Sequence, residues 1–251
     1  MRNLIAFAAW AVLRSSTCYG QESGDPLRPF SSVVISKYSG GGRAFELRRR
    51  YAQAADGSTL FSSENDPPVN DTGLRGEYSY SLNMRTREFI HSFSLIQAVI
   101  VRPFTDVGEL VSVQPRHTCT WLTDGTWRRV GEGKIRGIRV LEVVEDEREG
   151  ATRMWVAPEL NCFQMKLRRT KAGRIVQEDR LVSLNLNEPS PLVFEVPPRY
   201  EALTPREFEK RFRTTYPGKQ IYSDQLLERY EQQYQQSIEK AKRQPVRLPA
   251  K

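Results

Sequence analysis

The chain has 251 residues, 39% hydrophobic and 27% charged, with 38 Lys and Arg against 30 Asp and Glu. That balance excludes a disordered chain, and a mean hydropathy of −0.56 argues against an integral membrane protein of apolar helices. The length suffices to bury a full core, as one β-rich domain or one domain plus a tail.

Residues 1–20 read as an export signal. Met1-Arg2 gives a positive start, and Leu4 to Leu13 is an apolar run of 10 residues. A membrane-spanning helix needs about 20. Small residues before a cut after Gly20 fit signal-peptide cleavage, which places the mature protein in the periplasm or outside the cell. Cleavage removes Arg2 and Arg14, so Lys and Arg fall from 38 to 36 against 30 acids, a net charge of +6. It also removes Cys18 and leaves Cys119 and Cys162. Two cysteines in an exported protein are a disulfide candidate. The strand pattern sets Cys119 inward with Val111, Val113 and Trp121, and Cys162 outward. Such a pair closes only if a bulge or a strand end turns one of them.

Ser31–Tyr38 reads as a first strand or a helical turn, and Gly40-Gly41-Gly42 as a hinge or hairpin turn. Phe45, Leu47 and Tyr51 share one face of the next segment, and Asp56-Gly57 signals a hairpin. The Asn70-Asp71-Thr72 triplet sits in a loop. Alternation at Tyr78, Tyr80 and Leu82, then at Phe89, His91 and Phe93, predicts two further strands. Ser94–Val101 fits a short buried helix or a strand. Glu109–Leu122 alternates as a strand. Lys134–Glu145 is rich in Ile and Val, with a phase slip between Val140 and Leu141 that suggests a bulge.

Arg153–Arg169 predicts two strands joined at Pro158-Glu159-Leu160-Asn161, with one buried face. Val182, Leu184 and Leu186 alternate in the following segment. Leu192, Phe194 and Val196 suggest a last short strand. Thr204-Pro205-Arg206-Glu207 then carries a helix-start signature, with a Thr cap, Pro in the first helical position and Glu in the third. Leu227, Tyr230, Tyr234 and Ile238 form the apolar stripe of a second helix, capped by Ser223.

The polar constellations favour bland chemistry. His117, Cys119 and Cys162 fall short of a metal set, and two His with no nucleophile motif give no hydrolytic triad. Glycines 131, 133 and 137 miss a dinucleotide fingerprint. Glu145-Asp146-Glu147 with Glu149 reads as a solvated turn rather than a calcium loop. No catalytic, cofactor or metal residue is therefore expected. Arg48-Arg49-Arg50-Tyr51 and Arg168-Arg169 with Lys171 are basic clusters. In an exported protein they suit a membrane surface, anionic head groups or cell-wall polymers better than nucleic acid, and a solvated strand face better still. Trp121, Trp155, Phe163 and Met165 are candidates to line an apolar interior, as packed core or as a ligand cavity.

Four pieces carry a family resemblance: the Gly131…Ile135-Arg136-Gly137-Ile138-Arg139-Val140 strand, the Trp155–Cys162 hairpin, the Lys171–Arg174 turn, and Phe194–Tyr200. In this order they resemble a group of uncharacterised exported bacterial proteins, distantly similar to the periplasmic lipoprotein-localisation carriers. The resemblance covers residues 40–200. It implies a strongly curved antiparallel sheet with helices across its concave side, enclosing an apolar cavity for acyl chains. The C-terminal helices depart from the carriers' pattern.

The expected fold is α+β and mainly β: a half-barrel sheet over residues 21–200, followed by a helical appendage and basic tail over 201–251. The leading functional expectation is a non-enzymatic binding protein for a lipid or amphiphile. The alternatives are a cell-envelope interaction module whose C-terminal helices bind a protein, and a hydrolase without a recognisable motif.

Overall fold

A computed structural model describes residues 27–40, 43–64, 76–105, 119, 122 and 125–243. The predicted signal segment, His117, Trp121, the Asn70 triplet and most of the Glu109–Leu122 strand lie outside these residues. The fold is mainly β and antiparallel. In chain order the strands are β1 (Phe30–Gly40), β2 (Arg43–Gln53), β3 (Thr59–Glu64), β4 (Glu77–Asn83), β5 (Glu88–Phe93) and β6 (Ala98–Pro103). Then come β7 (Arg128–Ile135), β8 (Ile138–Glu147), β9 (Gly150–Ala157), β10 (Phe163–Lys171), β11 (Arg174–Asn185) and β12 (Glu201–Ala202). Two α-helices follow, α1 (Pro205–Thr215) and α2 (Asp224–Arg243).

The chain divides into two compact units. The first holds Asp25–Glu64 and Pro115–Pro191. Its strands run in the order β3-β2-β1-β11-β10-β9-β8-β7. The hairpin turns Arg136-Gly137 and Ala172-Gly173 have positive φ at both residues, 51° and 81° in one and 47° and 73° in the other. Such turns match the right-handed twist of the strands they join. The sheet is open and curved: the Arg136 guanidinium, in the β7–β8 turn, donates to the carbonyl of Val182 on β11.

Two apolar clusters sandwich β8 and β9. One gathers Phe30, Val34, Ile138, Val140, Ala157 and Met165. The other gathers Val143, Met154, Val156 and Cys162, packed with Cys119, Leu122 and Trp127. The neighbours Val156 and Ala157 are both fully buried. This corrects the one-faced reading of the β9–β10 hairpin. It also relocates the expected bulge. The β8–β9 register runs unbroken from Leu141 to Glu147, and the shift falls in β7 between Arg129 and Gly131. The apolar phase slip at Val140-Leu141 reflects burial on both faces, since successive side chains point oppositely. Cys119 and Leu122 stand in helical turns rather than in a strand.

The second unit holds Asn65–Gln114 and Leu192–Lys251, with strand order β12-β6-β5-β4. The undecided Ser94–Val101 run is both alternatives in succession. Ser94–Ile96 is a single helical turn, Gln97 has a φ of 46°, and β6 follows. The expected strand at Leu192–Val196 is instead a helical turn, Pro191–Phe194. Pro189 and Pro191 lack ladder donors, and of its side chains only Phe194 is buried. The Ser81 hydroxyl donates to the Phe194 carbonyl at 2.9 Å.

Helix α1 starts as its signature predicts. The Glu207 amide donates to the Thr204 hydroxyl, and the Thr204 amide to the Glu207 carboxylate. Phe208 and Phe212, one turn apart, are wholly buried against Phe93, Ala98 and Ile100. Leu227, Tyr230 and Tyr234 of α2 join the same cluster. Glu209 is buried beside them. Its carboxylate accepts from the amides of Ile221 and Tyr222 and from Arg213, pinning the connection between the helices. Phe212→Ala is expected to destabilise the protein by about 3–5 kcal/mol, read by urea unfolding, because the cavity cannot collapse between helix and sheet.

Candidate functional site

The register of the first unit lines up charges across its strands. Arg128 on β7 stands opposite Val144 on β8, Val144 opposite Arg153 on β9, and Arg153 opposite Arg168 on β10. The row continues through Glu178 on β11 and Lys37 on β1 to Glu46 on β2. Two residues along each strand, a parallel row runs Glu142, Trp155, Lys166, Arg180, Ile35, Arg48 and Glu64. Positions two apart share a sheet face.

An open groove of about 340 Å³ lies over the first row. Val130, Val144 and Ala151 give it an apolar floor, and Arg128, Arg153 and Arg168 a mainly basic rim that also holds Asp146 and Thr170. Val130 is the bulged residue of β7. Each rim arginine meets one carboxylate: Asp146 at 3.3 Å from Arg128, Glu142 at 3.1 Å from Arg153, and Glu178 at 2.9 Å from Arg168. The hydrogen bond from Arg168 holds the Glu178 carboxyl below the usual carboxylate range. The ammonium of Lys166 sits 4.5 Å over the Trp155 ring, a cation–π contact. A second groove, about 460 Å³, lies by the stacked Tyr38 and Phe45 rings, with Lys37, Glu46 and Glu178 at its border.

The four residues proposed to line an interior are not gathered by either groove. Met165 is fully buried. Phe163 packs on Phe30 at 4.9 Å and on Tyr51 at 5.2 Å between ring centroids. Trp155 is half-buried under Lys166, and Trp121 is outside the described residues. Cys119 and Cys162 form a disulfide with Cα atoms 5.4 Å apart. Cys162 has a φ of 58° at the strand end and is 7% exposed, inward rather than outward as its alternation implied.

Other polar groups escaped the sequence pattern. Asp179 is buried on β11 and accepts from Gln164 at 2.7 Å and Gln177 at 3.0 Å, with Arg49 3.8 Å away. Within the acidic turn, Glu147 accepts from Arg169 and Thr152, and Glu149 pairs with Lys171. Among the described residues no group of three His, Cys, Asp or Glu is placed to hold a metal. No helix among them is long and apolar enough to cross a membrane.

No family model and no curated relative matches the chain. Solved structures do match. An uncharacterised conserved protein from Thermus thermophilus is 11% identical, with 70% of this chain and 89% of that one covered and a TM-score of 0.38. A chain of the Pseudomonas aeruginosa MucA/MucB complex is 14% identical, covering 70% and 58%, at 0.40. A LolA superfamily protein from Nitrosomonas europaea is 10% identical, covering 68% and 91%, at 0.28.

Proposed function

We propose that this chain is an exported, non-enzymatic binding protein that holds an amphiphile against the sheet of its eight-strand unit. The carrying observation is the groove over β7–β10, whose floor of Val130, Val144 and Ala151 offers apolar surface beneath three guanidinium groups. An alkyl chain gains from such a floor, and an anionic head gains from such a rim. Export rests on the sequence of residues 1–20. The alternative, an envelope module acting through the C-terminal helices, has less support. The apolar faces of α1 and α2 are already occupied by β5 and β6 of their own unit.

Lipid extraction and mass spectrometry on protein purified from membranes is expected to recover a bound amphiphile. A dansyl fatty acid should bind and brighten. Val130→Glu, a change at a side chain 41% exposed, should abolish the brightening while leaving the fold intact. No recovered ligand, together with no response to the probe, would overturn the proposal.

A further inference from the structure

We infer that Arg153 and Arg168, with Arg128 beside them, form a binding site for a phosphomonoester dianion, the head group of the amphiphile proposed above. This rests on that reading for the chain beneath the head, and on the sheet register for the site itself.

Arg153 and Arg168 are direct cross-strand neighbours on adjacent strands, about 4.8 Å apart in the backbone. Like charges placed directly opposite each other destabilise a sheet. Two residues along β10, on its other edge, Lys166 stands directly opposite Arg180 on β11. Side by side on β9, β10 and β11, therefore, stand Arg153, Arg168, Lys166 and Arg180, with Glu178 as the acidic member of the block. A folded sheet that sets cation against cation on both edges of one strand gains by binding an anion there.

The geometry favours a phosphoryl group over a lone carboxylate. Arg128 lies on the same row across Val144, so three guanidinium groups border one groove. Each guanidinium has five N–H donors in a planar fork, and one ion pair to Asp146, Glu142 or Glu178 leaves others to direct at a ligand. A tetrahedral dianion presents enough oxygens to accept from more than one fork, and arginine is suited to such bidentate recognition. The floor of Val144 and Ala151 lies directly beneath, where a substituent carried by the phosphate would rest.

The test uses calorimetric titration of the full mature chain with dihexanoyl phosphatidic acid, dihexanoyl phosphatidylcholine and inorganic phosphate. Phosphatidic acid is expected to bind about tenfold or more tightly than phosphatidylcholine, and to weaken as salt rises. The double variant R153Q/R168Q should lose that preference. Its melting temperature should change little, because the like-charge pair goes together with two exposed ion pairs, to Glu142 and Glu178. R139Q, at an exposed arginine paired with Glu132 away from the groove, should bind as the wild type does. Equal affinity for the two lipids, or unchanged binding by R153Q/R168Q, would overturn the phosphoryl site while leaving an amphiphile groove standing. Inorganic phosphate binding as tightly as phosphatidic acid would keep the anion site and remove the amphiphile reading. No binding to any of the three overturns both.

Discussion

Between pH 7 and pH 4 the wild-type protein should lose roughly 3 kcal/mol of stability that a His91→Phe variant keeps. His91 is 1% exposed on β5. Its ring lies among Tyr78, Tyr80, Phe208 and Tyr222, and its Nδ1 shares a 2.7 Å hydrogen bond with the Tyr222 hydroxyl. Its Nε2 has no hydrogen-bond partner among the described residues. Burial lowers its pKa from 6.5 to about 3, since desolvation penalises the charged imidazole. The unfolded chain takes up the proton near 6.5 and the folded chain does not. Stability from this group is therefore complete above pH 6.5 and falls as the pH drops from there toward 3. The fall should begin where α1 and α2 meet β4–β6, because Phe208 and Tyr222 close over the ring.

Paired urea titrations across this range check the expectation. Carboxylates such as Glu207, held below the ordinary range by hydrogen bonds from the Thr204 backbone and side chain, also lose stability in acid, but they do so in both proteins. The difference between the curves isolates His91. At pH 7 the variant should be the weaker by about 1–3 kcal/mol, because the Tyr222 hydroxyl loses its partner. Parallel curves for the two proteins would remove His91 from the account.

Reducing the Cys119–Cys162 disulfide should cost about 4 kcal/mol, on the chain-entropy account of a loop closed over a separation of 43 residues. The bond does more than shorten a loop. It ties Cys119, with Leu122 and Trp127, over Val143, Met154 and Val156, the second apolar face of β8 and β9. Released, that face meets water. The double variant C119S/C162S and the wild type in dithiothreitol should unfold at the same lowered urea concentration and bind a hydrophobic dye more strongly. A midpoint indifferent to reductant would show that the packing alone holds this face.

Several features were legible because they are local. Period-two alternation marks strands such as Glu77–Asn83, where Tyr78, Tyr80 and Leu82 share one face. The Thr204–Glu207 pattern predicts a capped helix because both partners of the cap lie within one turn. Ala172-Gly173 predicts a turn because few residues accept positive φ there. Pattern reading failed where burial was two-sided. At Val140-Leu141 consecutive apolar residues imitate a bulge, and at Cys162 a strand-end residue in the left-handed region escapes the alternation of its neighbours.

The candidate site was hidden for a related reason. Hairpins separate Arg128, Arg153 and Arg168 along the chain; Arg168 stands out only as part of a basic cluster with Arg169 and Lys171, and Arg128 and Arg153 carry no signal. Only the register of β7 through β10 brings them into one row. His91, between Phe89 and Phe93, reads in sequence as a packed histidine, but Tyr222, which closes over it, lies more than a hundred residues away, and buried Asp179 takes partners from β10 and β2. By itself, then, the sequence determined the strand-rich class, the turns, the capped helix and the pair of cysteines, all set by interactions within a few residues. The tertiary structure alone decided which faces are covered, which charges confront one another and which groups lose their water, because those follow from pairing between segments distant in the chain.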